Sequence, residues 1–162
     1  MAGLTSQSVV DRVSIIDVIT RFAVCIDLKQ WDEFGTCFAD EVELFLVSTG
    51  RWVTFSRDKI LDMVSRVFVQ YDATQHISAN HQITITGDEA VCISTLNATH
   101  YIANDPGGPI QRQLGYYKYE LSRHPEWRIH RMIQMLAWQD GNQDIFDRAH
   151  VDVGIPQVDA DA

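Results

Sequence analysis

The spacing of apolar residues changes once along this chain, from a helical period in the first half to long strand-like runs in the second. Over residues 6–28, Ile15, Ile19, Phe22 and Ile26 form one stripe at 3- and 4-residue spacing. Val9, Val13, Ile16, Thr20, Ala23 and Asp27 form another. With two largely apolar stripes, the pattern predicts a helix that is mostly buried, capped by Ser6 or Ser8. A short helix over 31–38 follows, ending before Asp40, and then a strand over 42–47, "VELFLV". The helical period returns over 56–71, with Ser56 as cap and Ile60, Val64, Val67, Phe68 and Tyr71 as its apolar face.

Four strands are predicted after that, at about 75–86, 89–103, 111–123 and 127–138. Gly87-Asp88 turns the first pair into a hairpin. "NDPGGP" (104–109) is a loop and "RHPE" (123–126) a turn. One further short helix fits near Ile145 to Ala149, and the acidic tail from about residue 150 reads as frayed. No repeat, linker or low-complexity block interrupts the chain. Helices followed by long antiparallel strands predict a single α+β domain over 1–162, with helices against one face of a curved sheet and a ligand pocket between them.

Composition narrows the function. With 162 residues, 46% of them hydrophobic, the chain can bury a real core. A net charge of −9 repels phosphate backbones and argues against nucleic acid as a partner. No run of 18 apolar residues predicts a membrane span, and the start, "MAGLTSQSVVDRVS", does not read as a signal peptide. Cys25, Cys37 and Cys92 sit among apolar neighbours, as reduced thiols in a cytoplasmic protein would.

The candidate chemistry centres on Asp27. A carboxylate at a helix C-terminus opposes the macrodipole, and on a largely apolar stripe it needs a specific partner; the alternative is a solvated helix end. His76, in the strand "ATQHISANHQITIT", can be that partner. An imidazole held by a carboxylate through one nitrogen keeps the other free to take a proton. His100 shares an apolar parity with Cys92, Ser94, Leu96 and Ala98 and can approach His76 across the strand pair. The competing reading is two cross-strand histidines on a wet face. His81 takes the opposite parity to His76 if the strand is unbroken; His124 and His150 fall in a turn and in the tail, and read as solvated. Asp27, His76 and His100 make a metal triad on paper, but no HxH or HExxH spacing supports one, and no phosphate loop or nucleophile elbow is present. The expectation is therefore no metal. Tyr117 and Tyr119 in "QLGYYKYEL" share a parity from which a phenol can donate to an oxyanion; sheet packing is the alternative.

"FAVCIDLKQWDEFGTCFADEVEL" resembles the first-helix region of the SnoaL-like branch of the NTF2-like superfamily: an aromatic, an Asp at the helix end and a Trp four residues on. "YDATQHISANHQI" and "NATHYI" resemble the two histidine strands of scytalone dehydratases, and the chain is also similar to hexachlorocyclohexane dehydrochlorinases. The resemblance covers roughly residues 8 to 150. It implies a cone-like α+β barrel, a mixed or antiparallel sheet strongly curved around the N-terminal helices, and a homo-oligomer, trimer or dimer. It implies cofactor-free elimination or isomerisation, with Asp27 as the carboxylate, His76 as the base and His100 as a second active-site histidine that protonates or stabilises the leaving group. The pattern also departs from the dehydratases. Ile26 stands where they carry a tyrosine, Leu46 stands for a second tyrosine, and Leu114 and Tyr116 align near a serine and an asparagine.

The chain therefore reads as a cofactor-independent lyase or isomerase acting on a small apolar, polyketide-like or aromatic substrate. Tyr117, Tyr119, Arg131, Leu46, Phe68 and Trp138 are the expected substrate contacts. The alternative from another class is a non-catalytic ligand-binding or scaffold module, like the β-subunits of ring-hydroxylating dioxygenases. An epoxide hydrolase needs an Asp-Arg-Asp set, for which Arg131 is present but no second carboxylate is evident.

Overall fold

The long first helix begins on a reciprocal cap. In a computed structural model, which describes residues 5–46 and 50–151, α1 runs Ser6–Leu28. The cap is Thr5, not Ser6 or Ser8: its Oγ1 accepts from the Ser8 backbone N–H, and the Ser8 hydroxyl accepts from the Thr5 N–H at 2.9 Å. At the other end Lys29 turns left-handed (φ 56°), and its N–H reaches the carbonyls of Cys25 and Ile26. Only one stripe of α1 is buried along its whole length. Ile15, Ile19, Phe22 and Ile26 enter the core, whereas Val9, Val13 and Ile16 are exposed, contrary to the expectation of a helix buried on both flanks.

The next helix, α2 (Trp31–Gly35), is shorter than expected, because Phe38 already belongs to β1 (Phe38–Leu46). β2 (Arg51–Ser56), which the sequence did not signal, pairs antiparallel with β1. Ser56 caps α3 (Arg57–Phe68), its Oγ accepting from the Lys59 N–H. Then come β3 (Ala73–Thr86), β4 (Glu89–Tyr101), β5 (Ile110–Arg123), β6 (Trp127–Gly141) and α4 (Gln143–His150). The expected end of the first strand at Val47 and the expected frayed tail beyond residue 151 lie outside the described residues.

The sheet order is β2-β1-β6-β5-β4-β3. The β1–β6 pair is parallel and the rest are antiparallel, so the sheet is mixed and open, with β2 and β3 at its edges. Register shifts at Ala79/Gln82, Leu114/Gly115 and Glu120/Leu121 interrupt the long strands. Each such bulge bends its strand and increases the local twist, which curves the sheet around α1. At Gly115 a Cβ would lie 2.1 Å from the Met135 carbonyl oxygen, so only glycine allows this close approach of β5 to β6.

The core lies between α1 and the concave face. Phe22 is its hub, with ring centroids 5.3 Å from Phe34, 5.9 Å from Phe38 and 5.8 Å from both Tyr117 and Tyr119. Toward the other end α3 and α4 pack together through Val67, Tyr71, Ile145 and Ala149. Among the described residues no helix is long and apolar enough to cross a membrane.

Candidate active site

The last turn of α1 carries Asp27 to the start of β3, and β3 uses three groups to hold it. The His76 backbone N–H donates to Asp27 Oδ2 at 2.7 Å, the Thr74 hydroxyl donates to Oδ1 at 2.8 Å, and His76 Nδ1 meets Oδ1 at 2.7 Å. Thr74 and His76 point to the same face because they are two residues apart in a strand. Burial alone would raise the Asp27 carboxyl, but the side-chain and backbone bonds from His76 outweigh it and hold the carboxyl below its ordinary range. The carboxylate stays ionised and fixes a hydrogen on His76 Nδ1, so Nε2 is left as the acceptor. The His76 side chain is only 4% exposed and forms part of a cavity wall.

That cavity, about 210 Å³, lies between α1, α3, α4 and the concave sheet. Its walls are mainly apolar: Phe22, Ile26, Phe34, Ile60, Val64 and Met132 among others. Leu46, Phe68 and Tyr117, expected as substrate contacts, line it. Tyr119 does not; it packs behind Tyr117 at 5.3 Å between ring centroids, fully buried. Arg131 and Trp138, also expected as substrate contacts, do not line it. Arg131 lies between Glu43 and Glu120 and stacks on Trp52 at 3.8 Å. Trp138 is 54% exposed. The reason is register: the interruption of the β5–β6 ladder at Glu120/Leu121 puts Met132 and Gln134, not Arg131, on the cavity side.

His100 enters the cavity from β4, its ring 5.7 Å from that of His76. Its Nδ1 meets Gln111 Oε1 at 2.8 Å. The Gln111 amide nitrogen donates to the Arg112 carbonyl and to Gln143 Oε1, so its oxygen must face the ring. His100 therefore carries its hydrogen on Nδ1. Burial presses its pKa down to about 4, with the neighbouring His76 and His150 adding to the effect and the Gln111 bond opposing it. At neutral pH this imidazole is uncharged and presents an acceptor at Nε2.

Several polar and aromatic residues of the cavity were not assigned to it from the sequence. Gln113 is buried on β5 and accepts from the Gln134 amide at 2.8 Å. A usable signal existed: Gln111 and Gln113 share the parity of Tyr117 and Tyr119, and a polar residue at a core parity asks for a partner. Phe146 and His150 come from α4, whose i, i+4 spacing puts both on one face. His150 is thus not a solvated tail residue. The helix that carries it is tied to the 104–109 loop, where Asn142 donates to Asp105 Oδ1 and to the Gly108 carbonyl, and Arg148 pairs with Asp105.

His81 also departs from expectation. The bulge at Ala79/Gln82, with Asn80 left-handed at φ 54°, inserts one residue and restores the inward parity. His81 Nδ1 then meets the buried Ser94 hydroxyl at 2.7 Å, on the concave face but outside the cavity. His124 is exposed in its turn. Among the described residues no group of three or more His, Cys, Asp or Glu side chains is placed to hold a metal ion.

Comparison with solved structures places this architecture in a known setting. The chain is similar to the Kfla4162 protein of Kribbella flavida, with 22% identity, a TM-score of 0.81, and 86% of this chain and 99% of that one covered. It is similar to a protein of Novosphingobium aromaticivorans assigned as a scytalone dehydratase (17% identity, TM-score 0.75, 86% and 92% covered). It is also similar to a type-3 hexachlorocyclohexane dehydrochlorinase of Novosphingobium barchaimii (16% identity, TM-score 0.71, 83% and 91% covered). At these identities the likeness is one of fold. No curated protein matches the chain. Residues 7–133 match the family model described as a SnoaL-like domain, and the chain therefore belongs to the SnoaL-like family of the NTF2-like superfamily.

Proposed function

We propose that this protein is a cofactor-independent lyase or isomerase in which His76, oriented by Asp27, removes a proton from a carbon of a small substrate held in the cavity. One observation carries the reading: a half-buried carboxylate binds His76 through Nδ1 at 2.7 Å at the wall of a mainly apolar cavity. In the reaction, Nε2 of His76 takes the proton and Asp27 stabilises the imidazolium that forms. The C–H electron pair then forms a double bond as a leaving group departs with its own bonding pair, or it delocalises into an adjoining carbonyl. The family's dehydratase and dehydrochlorinase relatives support this class of chemistry.

Negative charge developing on the substrate needs donors. The Tyr117 phenol lines the cavity, and burial pushes it above its ordinary range, so it keeps its hydrogen and can donate it. The Gln113 amide is a second donor, since its oxygen is already engaged by Gln134. His100 has a different role from the one first expected of it. Uncharged and with its Nδ1 hydrogen committed to Gln111, it accepts rather than donates. The proton needed by an oxygen leaving group is then the one that His76 has just gained.

The test is a ligand screen by thermal shift, followed by turnover of the hits. Asp27→Asn and His76→Ala should each lower turnover about 10²- to 10⁴-fold. A hit consumed equally by wild type and both variants would end this reading.

A second reading is a scaffold or binding module that associates through its sheet. It is favoured by the apolar side chains exposed on the β-sheet, Ile77, Tyr116, Met135, Leu136 and Trp138. Assembly with further copies of the chain, as a dimer or trimer, is compatible with either reading. Sedimentation of wild type against Tyr116→Glu tests it, since the charge should shift the mass toward monomer.

A further inference from the structure

Gln143 is the first residue of α4 and does not line the cavity, yet it acts on the residue that holds His100. Its Oε1 accepts from the Gln111 amide at 3.3 Å, and its own amide donates to Asp147 Oδ1 at 3.3 Å, one turn along α4. Gln111 in turn accepts the Nδ1 hydrogen of His100 at 2.8 Å. Three hydrogen bonds thus run in one direction, from His100 to Gln111 to Gln143 to Asp147. The direction is set at the outer end. A carboxylate only accepts, so it draws the amide hydrogens of Gln143 and leaves the Gln143 oxygen for Gln111. The backbone sets up this approach: Gln111 pairs with Gly141 across β5 and β6, and the Asn142 N–H donates to the Ile110 carbonyl at 2.8 Å. Asn142 then caps α4, which starts Gln143 beside Gln111.

Gln111 is fully buried, so each bond to its amide matters. Besides Gln143, its amide nitrogen has one other acceptor among the described hydrogen bonds, the Arg112 carbonyl, also at 3.3 Å. Both bonds are longer than the usual N–H···O range, and the hold on the amide is shared between them. If the amide turned over, its N–H would donate to His100 Nδ1, and the ring hydrogen would have to sit on Nε2. An imidazole that accepts through Nε2 would become one that donates there. We propose that Gln143 is a positioning residue for the site: by holding the Gln111 amide it keeps the hydrogen of His100 on Nδ1. The docking of α4 on the strands then decides what His100 can offer a ligand. The inference rests on the elimination reading for the use of the cavity, but the tautomer itself is independent of turnover.

Nitrogen-15 NMR of the histidine-labelled full chain at pH 8 reads the tautomer, the His100 signals being those lost in His100→Asn. In wild type His100 should carry its hydrogen on Nδ1. Gln143→Met keeps nearly the same shape without the amide. It should move the ratio of the two tautomers about three- to tenfold toward Nε2–H, as for one neutral hydrogen bond lost. Gln143→Glu, whose side chain only accepts, should keep the wild-type ratio. Gln143→Leu is the second variant without an acceptor, for use if methionine lowers the melting temperature. A His100 tautomer unchanged in both Gln143→Met and Gln143→Leu overturns the inference and leaves the Arg112 carbonyl as the hold on Gln111. A ratio shifted as far by Gln143→Glu as by Gln143→Met overturns it too, since only a general disturbance of α4 would act so. The two readings fail separately in the same spectra. If His76 keeps its hydrogen on Nδ1 while His100 does not respond, the positioning role is lost and the base stands. If His76 carries its hydrogen on Nε2, the base is lost and a responding His100 still supports Gln143.

Discussion

Gln111 Oε1 accepts the Nδ1 hydrogen of His100 at 2.8 Å, and both residues are fully buried. This bond joins β4 to β5 at the cavity wall and fixes which nitrogen of His100 faces a ligand. Removing the oxygen strands a buried donor. Gln111→Leu should therefore destabilise the fold by about 1–3 kcal/mol in denaturant unfolding, while Gln111→Glu should keep the bond and raise the His100 pKa. An unchanged midpoint for Gln111→Leu would mean that water already replaces the bond.

The stability of the domain should depend on pH through His100. In the unfolded chain its pKa is about 6.5, and in the folded one about 4. Between these values the unfolded state takes up a proton that the folded state refuses. Stability is fully present above about 6.5, falls as the pH drops toward 4, and levels off below; the loss is on the order of 3 kcal/mol. Asp27 acts in a lower window. Its folded pKa is depressed, so its contribution is present above its unfolded value of about 3.9 and is lost as the pH falls through the folded one. Urea midpoints at pH 7.5 and 4.5 should differ clearly in wild type and less in His100→Asn, the remainder coming from His150 and His81, whose pKa values burial also lowers.

The β3 bulge is set by Asn80, which is left-handed at φ 54°. Asn80→Gly should be neutral or slightly stabilising. Asn80→Val should cost about 1–2 kcal/mol, since a β-branched residue resists that conformation. Deleting Asn80 should be far worse, because every residue from His81 to Thr86 would then change faces. Thermal melts of the three variants give the order directly.

Gly115 lies on β5 between two cavity-facing residues, Gln113 and Tyr117. Gly115→Ala would put a Cβ 2.1 Å from the Met135 carbonyl oxygen, so the β5–β6 ladder must part. We expect a loss of more than about 2 kcal/mol and weaker ligand binding together. Binding that survives at full strength would show that the cavity tolerates a shift of β5.

Much of this structure was legible in the chain. The periods of α1, α3 and the four long strands are strong, and their boundaries fall within a few residues of the sequence reading. Asp27 and His76 could be singled out because a carboxylate on a largely apolar helix stripe needs a partner, although nothing local said which residue would supply it. The unread parts depend on register. One inserted residue at Asn80 turned His81 inward, and the interrupted β5–β6 ladder kept Arg131 outside. β2 is a six-residue edge strand whose pattern is too short to stand out. His150 escaped because its helix is short and its place over the cavity is fixed by Asp105 and Asn142, far away in sequence.

The central claim is that Asp27 holds His76 as an Nδ1–H imidazole with an open Nε2. Nitrogen-15 NMR of histidine-labelled protein at pH 8 reads this without any knowledge of the substrate. The account predicts a His76 ring with hydrogen on Nδ1 and an unprotonated Nε2 in wild type, and loss of that tautomer preference in Asp27→Asn. A His76 carrying its hydrogen on Nε2 in wild type would contradict it.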